Sequence, residues 1–219
     1  MAYILCIETS TTNCSVALSK DGQMLSLKED YSAQYSHAER LHNFIELVVK
    51  EAGIALKDLE AVAISKGPGS YTGLRIGVAA AKGLCYALDI PLISVPTLHS
   101  LALQVKINQG FIVPMLDARR MEVYATVFSY GYEQIRETEA EILSENSFID
   151  YLQEDEVWFI GNGVSKFSEI CGHKNANFIL NKLPSANEMV ILSFHKFSNK
   201  DFENVNYFAP YYLKDFVAG

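Results

Sequence analysis

The stretch Gly67-Pro68-Gly69-Ser70-Tyr71-Thr72-Gly73-Leu74-Arg75-Ile76-Gly77 has the composition of a ligand loop. Glycines between a strand and a helix let backbone N–H groups approach an anion at the positive end of the helix. The spacing argues against a phosphate loop. Five residues separate Gly67 from Gly73, and Leu74 stands where a Walker loop needs lysine. A dinucleotide fingerprint needs a third glycine at the position that Thr72 fills. Metal chemistry finds no ligand pair, because His37 and His42 are five apart, about 140° around a helix, and His99, His173 and His195 stand alone. Asp117, Arg119, Arg120 and Glu122 gather four charges around one turn, with no His or Cys nearby to complete a triad. The favoured reading there is a turn in which Asp117 accepts backbone N–H bonds while Arg120 and Glu122 are solvated or paired. Glu8-Thr9-Ser10-Thr11 reads as a hairpin whose hydroxyls satisfy backbone groups. No residue is assigned a catalytic role, and no metal site is assigned.

These groups need elements to position them. Tyr3–Ile7, Cys14–Ser19 and Met24–Glu29 read as strands, with Asp21-Gly22 as a hairpin turn. Residues 36–52 carry Leu41, Phe44, Ile45, Val48, Val49 and Ala52 at helical spacing, closed by Gly53. Ala61–Ser65 is a buried strand, Ser70–Leu88 a helix and Leu92–Val95 a strand, so the order is that of a mixed sheet with helices packed on it. The second half reads as a reduced copy: strands at Phe111–Leu116, Val123–Tyr130 and Val157–Ile160, short helices at Ser144–Leu152 and Ser165–Ile170, and a final helix at Ser185–Phe197. A polar connector, Asn199–Asn206, leads to an aromatic tail, Tyr207–Leu213, expected to dock on the body. The expected organisation is a first lobe over 1–106 and a reduced second lobe over 107–219, with the tail packing back on the first.

The helix Ser70–Leu88 carries charge only at Arg75 and Lys82, and Gly73, Gly77 and Ala81 recur every four residues. That spacing makes a narrow seam of small side chains along which another helix can come close. A helix apolar nearly all round is either buried within its own chain or meets a partner. On the partner reading the seam joins an exposed edge of the preceding helix, and the candidate binding residues are His37, Arg40, Leu41, Phe44, Gly73, Ile76, Gly77, Ala80 and Ala81. Gly77→Leu or Ala81→Glu is then expected to abolish a complex while leaving a folded monomer.

The formal net charge of −8 and pI near 5.1 exclude a stand-alone nucleic-acid binder, which advertises a basic face. Arg119-Arg120 is the sole basic cluster. Hydrophobic content of 49% is ample for a packed core, while no apolar run is long enough to span a bilayer and no basic leader precedes the first strand. Cys6, Cys14, Cys85 and Cys171 are widely spaced and read as reduced thiols of a cytoplasmic protein.

Gly67–Gly77, the opening Ile4-Leu5-Cys6-Ile7-Glu8-Thr9-Ser10-Thr11 and Asp117-Ala118-Arg119-Arg120-Met121-Glu122-Val123-Tyr124 together resemble the TsaB (YeaZ) family. Gly161-Asn162-Gly163 and Pro210-Tyr211-Tyr212-Leu213 extend the resemblance over almost the whole chain. Two departures are Glu8, where the family usually has Asp, and Lys214, where Arg is usual. The resemblance implies an α/β fold of the actin- and hexokinase-like ATPase type, two lobes with mixed sheets. It also implies a non-catalytic subunit of the bacterial machinery that places threonylcarbamoyl on the adenosine beside the anticodon of certain tRNAs. Its partners would be a homologous catalytic TsaD-like subunit and a small TsaE-like ATPase, with tRNA met only through the complex and a homodimer formed when alone. Two such helices meeting the equivalent pair on TsaD would make a four-helix interface. In actin-like ATPases the first hairpin holds phosphates and a hydrated metal, so Glu8, Thr9, Ser10 and Thr11 are candidates for weak nucleotide binding, with ATP and Mg acting at the level of the complex. The motif residues Gly67, Pro68, Gly69, Ser70, Tyr71, Thr72, Arg75, Asp117, Arg119 and Arg120 read as structural markers. The alternative is a stand-alone ATPase or kinase using the Glu8 hairpin, or a glycoprotease-like peptidase.

Overall fold

A computed structural model describes residues 2–31 and 37–214. In chain order its elements are β1 (Tyr3–Glu8), β2 (Cys14–Lys20), β3 (Gln23–Asp30), α1 (His37–Glu51), β4 (Ala61–Gly67), α2 (Tyr71–Leu88), β5 (Leu92–Pro96), α3 (Thr97–Ala102), β6 (Phe111–Asp117), β7 (Glu122–Ser129), β8 (Gln134–Ile142), α4 (Ile149–Glu154), β9 (Val157–Gly161), α5 (Val164–Ser168), β10 (Ala176–Leu180) and α6 (Ala186–Ser198). Ser36, expected to open the first helix, lies outside the described residues. Two compact units emerge: Met1–Ser100 with Pro184–Tyr212, and Leu101–Leu183 with Leu213–Gly219.

The first unit is a five-stranded sheet of order β3-β2-β1-β4-β5. Alternation along β1 sorts its side chains onto two faces. Leu5 and Ile7 join Leu41, Ile45 and Val48 of α1 and Val78, Ala81 and Cys85 of α2 in one buried cluster. Ile4 and Cys6 join Ala186, Met189 and Val190 of α6 on the other face. Helix α6, read from the sequence as part of the second lobe, therefore belongs to the first unit. All four cysteines are buried and free, and burial pushes Cys6 up to about 12.

The second unit is a sheet of order β10-β9-β6-β7-β8. Its strands repeat the connectivity of the first. β1 pairs antiparallel with β2 and parallel with β4, and β6 pairs antiparallel with β7 and parallel with β9. Two mixed sheets of one strand order, each flanked by helices, are the actin- and hexokinase-like architecture expected from the sequence. Only the six-residue α4 and five-residue α5 accompany β9 and β10, so this copy is the reduced one. Phe148, Phe159 and Phe167 meet edge to face at 4.9 to 5.8 Å in its core, a geometry that adds about 0.5–1.5 kcal/mol per pair beyond burial.

Two strands and one α-helix escape the sequence reading. β8 carries Arg136, Glu137, Glu139 and Glu141, and it is an edge strand, where charge is tolerated and guards against edge pairing. β10 is a short edge strand, and α3 is a six-residue helix. The helix expected over Ser144–Leu152 starts only at Ile149, because Ser147 Oγ accepts the Ser144 N–H at 3.1 Å and Phe148 takes φ 61°.

Candidate functional site

The turn between β1 and β2 brings Glu8, Thr9, Ser10 and Thr11 together and buries them, with exposures of 0, 0, 1 and 5%. Glu8 Oε1 accepts the Ser10 N–H at 2.6 Å. Loss of water drives the Glu8 carboxyl above the ordinary glutamate value of 4.5; hydrogen bonding from Ser10, Ser65 and Thr9 only partly offsets this. Neither the Ser10 nor the Ser65 hydroxyl completes a well-formed bond to Oε2, and the Ser65 hydroxyl bonds Thr97 Oγ1 at 2.8 Å.

Stability linked to Glu8 is fully present below its unfolded pKa, and it is lost as pH rises through the elevated folded value. Glu8→Gln keeps the shape and stays neutral, so it is expected to stabilise the fold near pH 7 by about 1–3 kcal/mol, the usual cost of an unsatisfied buried polar group. Thermal unfolding from pH 5 to 8 checks this. The wild type should lose stability as pH rises and the variant should not; a variant less stable at every pH contradicts the assignment.

Residues of this turn do not fit a nucleotide phosphate. The Ser10 N–H is spent on Glu8, and the Ser10 carbonyl accepts the Ser70 N–H at 2.6 Å. The buried Thr9 Oγ1 and Ser10 Oγ, which lack partners, belong to residues packed against α2 and the loop before it rather than facing solvent. His37 is 1% exposed and its Nε2 bonds the Thr11 carbonyl at 2.7 Å, while burial holds its pKa below the usual value. His42 is exposed, so the two rings do diverge. Among the described residues no group of three or more His, Cys, Asp or Glu is arranged to hold a metal.

The glycine seam of α2 turns inward. A Cβ on Gly73 would collide with the Thr9 carbonyl oxygen, one on Gly77 with Thr9 Oγ1, and one on Gly69 with the Ser10 carbonyl. Ala81 is wholly buried. The small residues let α2 sit directly on the β1–β2 turn of its own chain. This corrects the expectation of a seam open to a partner. Leu41, at 0% exposure, and His37 also lie inside, so the exposed edge of α1 is formed by Arg40 and the half-buried Phe44 instead. Arg40 pairs with Asp30 at 2.9 Å.

The loop before α2 is a structural latch. Ser70 caps the helix by accepting the Gly73 N–H at 3.2 Å. Gly67 takes φ 106°, and a Cβ there would crowd the Tyr211 carbonyl oxygen at 2.8 Å. The Tyr211 N–H donates to the Lys66 carbonyl at 2.7 Å, which seats the aromatic tail. Arg75 stacks on Tyr71 at 4.1 Å and donates to Tyr212 Oη at 3.2 Å, while Lys82 donates to the Phe208 carbonyl at 3.0 Å. Thus the two charged residues of α2 both hold the tail. Pro68 is buried and Thr72 is exposed.

A different face of α2 is left uncovered. Ala79, Gly83 and Ala87 are exposed at four-residue spacing, flanked by Thr72, the half-buried Ile76 and Ala80, and Tyr86 at 82% exposure. A Cβ on Gly83 would meet nothing within 4 Å. Beside it, His42, Ile45, Glu46, Val49 and Lys50 of α1 and Leu84 of α2 help line a groove of about 680 Å³. The sequence carries this second small-residue series as plainly as the first; only the packing tells which faces outward.

In the second unit the β6–β7 turn occupies the topological place of the β1–β2 turn. Asp117 Oδ1 accepts the Arg119 N–H at 3.0 Å, as expected. Asn162 Oδ1, from the Gly161-Asn162-Gly163 turn, accepts the Asp117 N–H at 3.0 Å. Glu122 pairs with Lys214.

The family model described as TsaD, tRNA N6-adenosine threonylcarbamoyltransferase, matches residues 31–219. The tRNA threonylcarbamoyladenosine biosynthesis protein TsaB of Haemophilus influenzae is 31% identical, covering 98% of this chain and 94% of that protein. TsaB of Escherichia coli is 30% identical over 98% of this chain and 96% of its own length. Among solved structures, YeaZ from Pseudomonas aeruginosa superposes with a TM-score of 0.80 at 26% identity over 97% of this chain and all of its own. The ethanolamine utilization protein EutJ of Carboxydothermus hydrogenoformans shares the fold, with a TM-score of 0.53 at 12% identity, over 87% of this chain and 90% of its own. With the Glu8 turn, the Gly67–Gly77 latch and the Asp117–Tyr124 hairpin each held in its own unit as described, the chain belongs to the TsaB (YeaZ) family.

Proposed function

We propose that this chain acts in tRNA threonylcarbamoyladenosine biosynthesis as a non-catalytic subunit that docks on a TsaD-like transferase and holds it active. The observation that carries the reading is the outer face of α2, an apolar strip of small residues around Gly83 that no part of this unit covers. Such a strip admits a second helix at close range. Family membership supports a TsaD-like occupant, and the adjoining α1–α2 groove extends the strip. The polar turn that would have to do nucleotide chemistry is buried instead. ATP and Mg are therefore handled by the catalytic partner and a TsaE-like ATPase, tRNA is met through the complex, and the same face joins two copies when the chain is alone. The assembly works in the cytoplasm. No observation favours a stand-alone ATPase or peptidase.

Reconstituted transfer of threonylcarbamoyl to tRNA tests the proposal. Adding this chain to the TsaD-like and TsaE-like proteins of the same organism is expected to raise product formation roughly 10- to 100-fold, within the usual range of coupling between sites. The chain alone should form none. Equal product without it, or ATP turnover by the isolated chain that disappears in Glu8→Gln, would overturn the reading.

A further inference from the structure

The β6–β7 turn holds two adjacent arginines in an unusual backbone state. Arg119 has φ 71° and Arg120 φ 49°, a left-handed region that favours Gly or Asn and that arginine enters only when its surroundings impose it. The surroundings do so. Asp117 Oδ1 holds the Arg119 N–H, and Lys166 Nζ, only 17% exposed, reaches Asp117 Oδ1, the Arg120 carbonyl at 2.5 Å and the Glu122 carbonyl at 3.0 Å. The Arg119 carbonyl accepts the Glu122 N–H at 3.1 Å, and the Met121 carbonyl accepts the Leu143 N–H at 2.7 Å.

Charge on this turn is arranged to leave the arginines unspent. The two carboxylates that flank them each take a lysine from elsewhere in the chain, Asp117 with Lys166 and Glu122 with Lys214. Both guanidinium groups are exposed, and among the described residues neither forms an ion pair. Two neutralised pairs and two free arginines leave a local charge of +2 on a chain of net −8. A fold that needed only a hairpin here would be served by Asn-Gly; an ion-paired surface would have let the arginines pair with the neighbouring carboxylates. A rigid turn presenting two planar, permanently charged forks suits the oxygens of phosphate.

We propose that Arg119 and Arg120 bind backbone phosphates of the tRNA on which the complex acts. This rests on the function proposed above, because an acidic chain with one basic turn cannot hold RNA alone but can add a contact to a complex that does.

Binding of fluorescently labelled tRNA to the assembled pair of this chain and the TsaD-like subunit, over a series of salt concentrations, tests the assignment. Arg119→Asn with Arg120→Asn removes the charge while keeping residues that tolerate the left-handed backbone. The double variant is expected to bind tRNA roughly 10-fold more weakly and to flatten the salt slope by roughly 1.5 to 2, the share of two phosphate contacts. Arg119→Lys with Arg120→Lys should keep most of the slope. An unchanged affinity and slope would overturn the proposal. So would loss of the assembled pair in the Asn variant, which would make the turn a protein contact, or loss of ATP binding with tRNA binding intact, which would make the ligand a free nucleotide. Failure of the wild-type chains to assemble is read before any variant and would bring down the function with it.

Discussion

Gly77→Leu is expected to destabilise the chain by at least ~3 kcal/mol, near the upper end of overpacking costs, lowering Tm by roughly 6 to 12 °C for a protein of this size. The reason is local. A first side-chain carbon at Gly77 already overlaps Thr9 Oγ1 and presses on Ile64 at 3.0 Å. Thr9 is fully buried just after β1, between Glu8 and Ser10, which are joined by a hydrogen bond, so a backbone shift there would disturb that bond. Ala81→Glu should do as much by another route, leaving a carboxylate unpaired in the core. Gly83→Leu, six residues after Gly77 on the same helix but pointing into open space, should cost nothing and raise stability by up to about 1 kcal/mol, because glycine is a poor helix former. Thermal unfolding of the three variants checks the set. If Gly77→Leu melted like the wild type, the inward seating of α2 on the β1–β2 turn would be wrong.

Ala79→Glu combined with Gly83→Glu carries the second large effect, on assembly rather than on folding. Both positions are exposed in the isolated chain, so the carboxylates remain in water and the fold is unaffected. Against a partner helix lying along the small-residue strip, each would be desolvated without a cation. That penalty is about 2–5 kcal/mol at a packed interface, so affinity for the TsaD-like subunit should fall by roughly 100-fold or more.

The contrast between these variants measures how far the sequence could be read. The strands β1, β2, β4 and β5 were legible because they are buried and mostly apolar, the exposed edge strand β3 from the Asp21-Gly22 hairpin turn before it, and α1 because it is amphipathic. The motif Gly67–Gly77 was legible as a special loop, yet its purpose was not. Its glycines admit the Ser10 and Thr9 carbonyls, and Gly67 admits the tail at Tyr211, neighbours that lie far away along the chain. Helix α2 carries two small-residue series with the same spacing, Gly73-Gly77-Ala81 and Ala79-Gly83-Ala87. Helical periodicity shows that both exist, but it is silent on which one the sheet claims. The β6–β7 turn was read correctly at Asp117. Its free arginines were hidden because Lys166 and Lys214, which take the carboxylates, lie more than forty residues away.

Docking through the outer face of α2 is decided by mass from light scattering after gel filtration, run on the wild-type chain and on Ala79→Glu with Gly83→Glu, each alone and mixed with the TsaD-like subunit. The wild type should give a one-to-one complex which replaces any homodimer, and the variant should elute as a folded monomer in both runs. A variant that still forms the one-to-one complex, or a wild type that forms none, would contradict it.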